Sequence, residues 1–292
     1  MRHLVDYMAS CGVRGEPGLD DAALGELERA LDARLPEQVR QLYRLCGGVR
    51  DTVWRHRSPP MRLLPPDEAV DVLATLRECA DTYHPSPEAR YLFTDDGSNW
   101  AGVFVEGPLI GKLTLLDHDE TSRAPRFRDT RSFAVRLAEA GRAELSWSKM
   151  PTDYPLAAAC EPALAAEALP LAIAYLDDYR AAVEVDDALL AAEVAVHLLP
   201  PTEWAALREL LSSPHQFVRY LAVGVAGHQK QRRLVPDLVA IARAARDADN
   251  YGHWSAAVKA LVAINAEAEV DTLVAAADPR WPIWPIRRAR GS

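Results

Sequence analysis

Two short acidic runs hold the residues best suited to ligand chemistry, Asp95-Asp96-Gly97-Ser98-Asn99 and Asp117-His118-Asp119-Glu120. A hard cation such as Ca2+ asks for about six to eight oxygens in a fixed shell. Consecutive residues of an extended segment point to opposite faces, so 117–120 reads as a solvated turn closing a strand. The first run stops short of an EF-hand and has no bidentate Glu at its end, so a hairpin turn is the default. As a patch for a basic partner, the same carboxylates need only exposure. Trp100 follows the first turn directly and admits two readings, a core residue or an aromatic anchor at an interface.

Other chemistry finds little support. Cys11, Cys46, Cys79 and Cys160 form no C-x-x-C, and His197, His215, His228 and His253 occur singly, without a carboxylate at metal-binding spacing. Neither a zinc site nor a redox motif follows. There is no Gly-x-Ser-x-Gly elbow, and Gly107-Pro108-Leu109-Ile110-Gly111 lacks the Lys and the helix of a phosphate loop. The reading is a protein with no catalytic residue, no metal and no cofactor.

The elements that must position these runs follow from length and pattern. At 292 residues, with 49% hydrophobic and 26% charged residues, the chain suits two globular domains. A formal charge of −9 argues against a nucleic-acid or anionic-membrane surface and suits a basic protein partner. No stretch reads as a signal peptide or a membrane span, and a reducing cytoplasm fits the cysteine usage.

The first half alternates short helices and strands. Leu19–Leu31 reads as an amphipathic helix capped by Asp20 or Asp21, and 36–46 as a helix with a first-turn proline, Pro36, and a Gly47-Gly48 stop. On its apolar face lie Val39, Leu42, Tyr43 and Cys46. Strand-like runs are expected at 51–55, 61–64, 90–95, 100–106 and 111–117, the last with one solvated face. Helices are expected from Asp67 or Glu68 to about Cys79, and from a Ser132 cap to Gly141.

An acidic-start helix, "LP", and a second helix ending in "GG" resemble the opening of the SUKH superfamily, the Smi/Knr group. "SFAVRLAEAG" (Ser132–Gly141) resembles the closing helix of that family, and Asp117–Glu120 its acidic-His turn. Val39 and Cys46 depart from the family's usual Tyr and Asn. The resemblance covers roughly the first half. It implies an α+β domain with helices packed on a mainly antiparallel sheet, and a binding protein, mostly a bacterial immunity protein that neutralises a polymorphic toxin.

From about Asp153 strand signals vanish and helical periodicity takes over. Helices are expected at about 169–183, 186–198, 202–211, 216–227, 234–246, 253–265 and 270–277. Phe217–Gly227 can be laid on Trp254–Ile264, a period of about 35 residues, as in helical repeats. Ser212–Arg219 resembles the inter-helix turn of a HEAT repeat. The Trp-Pro-Ile run at 281–286 reads as a cover for the open end of the stack, before an Arg-rich tail, with a peptide-like arm that reaches a partner chain as the alternative.

The division expected is therefore 1–150, an α+β domain resembling SUKH, and 151–292, an all-α HEAT-like domain, joined across Ser148–Pro155. The functional expectation is a cytoplasmic, non-enzymatic immunity protein. It would meet a basic cognate toxin domain through Asp95, Asp96, Trp100, Asp117, Asp119 and Glu120. A scaffold binding through the helical half is the alternative. An enzyme on that half, such as a DNA glycosylase-like protein, needs a basic concave face. Asp177-Asp178, Glu184 and Asp186-Asp187 oppose one, although Lys230, Arg232, Arg233, Arg243 and Arg246 can line a local surface.

Overall fold

The computed structural model of the chain describes residues 1–50, 59–117, 123–278 and 281–282. The chain falls into two compact units, Met1–Tyr154 and Pro155–Ser292. The first carries α1 (Arg2–Ser10), α2 (Asp21–Ala30), α3 (Glu37–Leu45), β1 (Arg62–Leu63), α4 (Pro66–Glu78) and α5 (Ala80–Tyr83). It continues with β2 (Ala89–Thr94), β3 (Trp100–Phe104), β4 (Leu113–Leu116), β5 (Pro125–Phe127) and α6 (Thr130–Arg142). The strand run expected at 51–55 lies outside the described residues.

Local chemistry sets the helix ends. Asp20 accepts the Ala23 N–H at 2.8 Å, a side-chain cap that stabilises α2 by about 1 kcal/mol. Pro36 is the residue before α3 rather than in its first turn, with extended ψ of 146°. The entry is fixed upstream, where Leu35 N–H donates to Glu28 at 2.9 Å. α6 is capped by Asp129, which accepts from Ser132 N–H at 2.7 Å, so Ser132 lies inside the helix it was expected to cap.

The Gly47-Gly48 pair does something other than stop a helix. Cys46 is already extended (φ −154°), off the α3 face where periodicity put it, and buried. Glu16 N–H donates to Gly48 O at 2.8 Å and Gly47 N–H to Glu16 O at 3.0 Å. Gly48 has φ +119°, and a Cβ there would overlap the Pro65 backbone. The glycines let three backbone segments cross in contact.

Among the described residues the strands form one antiparallel sheet in the order β1-β2-β3-β4-β5. Register pairs Arg62 with Thr94, Thr94 with Trp100, and Trp100 with Leu116. A register shift between Tyr91 and Phe93 lets both Leu92 and Phe93 enter the main core. Phe133 of α6 meets Phe93 and Phe127 edge-on, at 4.8 and 5.0 Å between centroids. Each such ring contributes about 2–3 kcal/mol by burial. β5 was not anticipated: three residues opening on proline carry no alternation, and proline is tolerated there because the strand is at the sheet edge.

The expected solvated face of 111–117 is absent. Thr114 is fully buried, and every residue of β2 and β3 is buried as well. The second face is roofed from within the same unit. Tyr83 packs edge-on against Trp100, Ser86 N–H donates to the Tyr91 hydroxyl at 3.0 Å, and the Tyr154 ring lies 5.6 Å from Lys112 Nζ.

Residues 151–154 belong to this unit, four residues beyond the expected limit at 150. Asp153 and Tyr154 N–H both donate to Arg126 O, at 2.9 and 3.0 Å. Asp153 Oδ2 accepts from Ser132 Oγ at 2.6 Å and from Arg128 N–H at 3.0 Å, and Tyr154 is fully buried. These contacts fasten the segment to the sheet edge and α6.

The second unit is helical throughout its described elements: α7 (Pro162–Ala181), α8 (Val185–Leu198), α9 (Trp204–Leu211), α10 (Gln216–His228), α11 (Val235–Asp247), α12 (Tyr251–Ile264) and α13 (Glu267–Ala275). α7 begins seven residues before the periodic run suggests and holds Pro170 in its interior. Sequential helices pair as α7 with α8, α9 with α10 and α11 with α12, and α10 lies beside both α8 and α12. The aligned positions Ala222-Val223 and Ala257-Val258 are all buried, and α10 approaches α12 closely where Gly227 faces Ala260. Trp281 rests on Trp254 and Tyr251 at 5.2 and 5.7 Å, with Tyr251 Oη donating to Pro282 O. Residues 283–290 lie outside the described residues.

Candidate functional site

The register of β2, β3 and β4 brings the turn at 95–99 and Asp117 to one end of the sheet. Trp100, which follows the first run, pairs with Leu116, which precedes the second. Arg62 joins them there by pairing with Thr94.

The first run is a built turn. Asp95 Oδ1 accepts from Gly97 N–H at 2.7 Å and Asn99 N–H at 3.2 Å, while Oδ2 accepts from Asn99 Nδ2 at 2.7 Å. Asp96 and Ser98 take positive φ of 62° and 71°, with Thr94 Oγ1 accepting the Asp96 N–H at 3.0 Å. Asx turns of this kind explain the residue choice, since Asp and Asn tolerate left-handed backbone better than bulkier residues. Asp95 is thus occupied in holding the turn, and Asp96 is the carboxylate that faces outward.

Asp96 does not stand alone. Arg62 grips it at 2.6 Å and Glu68 at 2.7 Å, and also donates to Val49 O at 2.6 Å. Arg50 makes a two-pronged contact with Asp67, 2.7 Å on both prongs, reaches Glu68 at 3.6 Å and pairs with Glu16. Asp67 and Glu68 occupy the first turn of α4, where the helix dipole favours negative charge. The Arg50 hydrogen bonds hold the Asp67 carboxyl below the usual carboxylate range, against the opposing effect of burial. Burial pulls the Arg62 pKa down, but Asp96 and Glu68 outweigh it and the net direction is up.

Among the described residues four carboxylates (Glu16, Asp67, Glu68, Asp96) share two guanidiniums (Arg50, Arg62) in this network, an excess of negative charge. Asp67 also opens onto a groove of about 400 Å3 between α2 and α4, floored by Leu27, Ala30 and Val70 and rimmed by Glu26 and Asp71. Such a groove offers an aliphatic floor and an acidic rim to a lysine or arginine side chain.

Of the six residues picked from sequence, Asp95 and Asp96 build the turn. Trp100 is only 9% exposed and packs on Tyr83, so it supports the turn from within rather than presenting a surface. Asp117 is half-buried at the same sheet end. Asp119 and Glu120 lie outside the described residues. Glu16, Arg50, Arg62, Asp67 and Glu68 were missed, because their pairing spans 6 to 34 residues across separate elements and leaves no local pattern. Among the described residues no three His, Cys, Asp or Glu side chains gather as a metal site, and the four cysteines are free thiols.

The architecture so defined is an α+β unit with an antiparallel sheet followed by a unit of paired helices. Comparison with known proteins finds no matching family model and no matching curated sequence. Among the described residues no helix is long and apolar enough to cross a membrane.

Proposed function

We propose that this is a non-enzymatic binding protein, an immunity protein of the SUKH type acting in the cytoplasm, whose first unit neutralises a basic toxin domain. The observation that carries the reading is the joining of the acidic turn, the α4 first turn and the α2–α4 groove into one negative surface. α2, which lines the groove, is the first of the two helices whose "LP" and "GG" signals resemble the SUKH opening. A basic toxin domain would be steered by the excess carboxylates and seated by a cationic side chain in the groove.

Charge reversal tests this best where it leaves the turn intact. Asp71 and Glu26 are exposed on the groove rim, whereas Asp95 holds the turn together. The Glu26→Lys, Asp71→Lys double variant is expected to fold normally and to associate more slowly with a cognate basic toxin domain, by about tenfold at low salt. Co-expression should then give incomplete protection. Full protection by the folded variant would remove this surface from the interface.

A second reading, a scaffold binding through HEAT-like repeats, draws on the other unit. Phe217 and Tyr220 are 44% and 47% exposed on α10, beside a groove of about 550 Å3 that includes Gln216, Arg219, Ile241 and His253. Capture of the partner that survives the first double variant but fails with Phe217→Ala, Tyr220→Ala would favour it.

A further inference from the structure

Away from the acidic surface, α4 and the segment leading into β2 line a half-open pocket of about 250 Å3, bordered by Leu73, Leu76, Ser86 and Tyr91. Two guanidiniums line it, Arg77 and Arg90, and no carboxylate does. Arg77 is exposed, so it marks the mouth.

Arg90 is 7% exposed, and among the described residues it donates only to carbonyl oxygens: Leu31 at 2.8 Å, Pro87 at 2.8 Å, Ala89 at 3.1 Å and Asp32 at 3.2 Å. Elsewhere in the same unit the well-shielded guanidiniums of Arg62 and Arg40 are paired with carboxylates. Carbonyl dipoles orient Arg90 without cancelling its charge, and four contacts leave one of its five N–H donors over. Desolvation and then the Arg77 charge lower the Arg90 pKa, with Glu106 and Asp32 acting the other way. A second cation near a buried one is a cost that a bound anion would relieve.

We infer that this cavity is a binding site for a small monocarboxylate with an apolar body, its carboxylate held between Arg77 and Arg90 and its body against Leu73, Leu76 and Tyr91. The volume equals the liquid share of about eight waters at about 30 Å3 each, which suits an acid of that many heavy atoms, such as hexanoate. Apolar walls exclude a fully hydrated oxyanion, and the planar guanidiniums match a carboxylate fork.

The test is calorimetric titration of the full chain with hexanoate, 1-hexanol and inorganic phosphate. Hexanoate is expected to saturate one site per chain. Hexanol and phosphate should bind at least about tenfold more weakly, because each lacks one half of the match. Arg77→Ala, at an exposed position, is expected to weaken hexanoate about tenfold without lowering the unfolding midpoint, since it removes a like charge from beside Arg90. Leu73→Trp, filling the cavity from a half-buried wall position, should abolish it. Absence of saturation, equal binding of hexanol, or hexanoate affinity indifferent to Arg77→Ala would overturn the site. Phosphate binding as tight as hexanoate would overturn the carboxylate assignment.

Discussion

Arg50 is the residue on which most of the acidic surface turns, since it holds Asp67, Glu68 and Glu16 at once. These pairs are well exposed to solvent, so their worth lies in geometry and charge balance more than in stability. The sign of their pH dependence is definite. Asp67 has its folded pKa lowered by Arg50. Its contribution is therefore present above the unfolded carboxylate value of 3.8 and fades as pH falls through the lower folded value. The melting temperature of Asp67→Asn should lie below that of the parent at neutral pH, and the gap should close as pH drops below about 4. A gap that stays constant from neutral pH down to acid would show that the Arg50–Asp67 pair contributes nothing. Neither partner was legible in the sequence, because an arginine after a Gly-Gly pair and an acid after a Pro-Pro pair carry no sign of each other.

At the scale of elements, two glycines with opposite roles separate backbone necessity from permissiveness. Gly48 has φ +119° and no room for a side chain against Pro65, whereas Gly25 lies within α2 with nothing near its missing Cβ. Gly48→Ala should destabilise the protein by about 2 kcal/mol or more, through strain and displaced backbone. Gly25→Ala should stabilise it by about 0.5–1 kcal/mol, because alanine is the better helix former and loses less entropy on folding. Urea unfolding midpoints of the two variants check both, and matching shifts would refute the distinction. The elements themselves were largely legible, since caps and periodicity act within one or two turns. The errors fell at ends, where Pro36, Cys46 and Ser132 were displaced by contacts from Glu28, the crossing of 16 with 47–48, and Asp129.

At the scale of the molecule, the four residues after Met150 decide whether the first unit is whole. Asp153 and Tyr154 close the β5–α6 corner. A fragment of residues 1–154 should fold cooperatively, while 1–150 should lose about 3–5 kcal/mol, the cost of removing a buried aromatic together with its neighbours' hydrogen bonds. Thermal melts of the two fragments compare them directly. Equal stability would move the boundary back to 150.

Sequence by itself determined the change from mixed helix and strand to helix alone, and the hairpin turn that Asp95, Gly97 and Asn99 write into the chain. Those features depend on interactions a few residues apart, which composition and spacing expose directly. Tertiary structure alone decided that both sheet faces are buried and that Asp117 meets the 95–99 turn at one sheet end. It also decided that Arg50 and Arg62 partly neutralise that end, and that Arg90 is buried among carbonyls without a carboxylate. Each of these joins residues far apart in the chain, where the pairing is set by how packed elements close on one another rather than by any local preference.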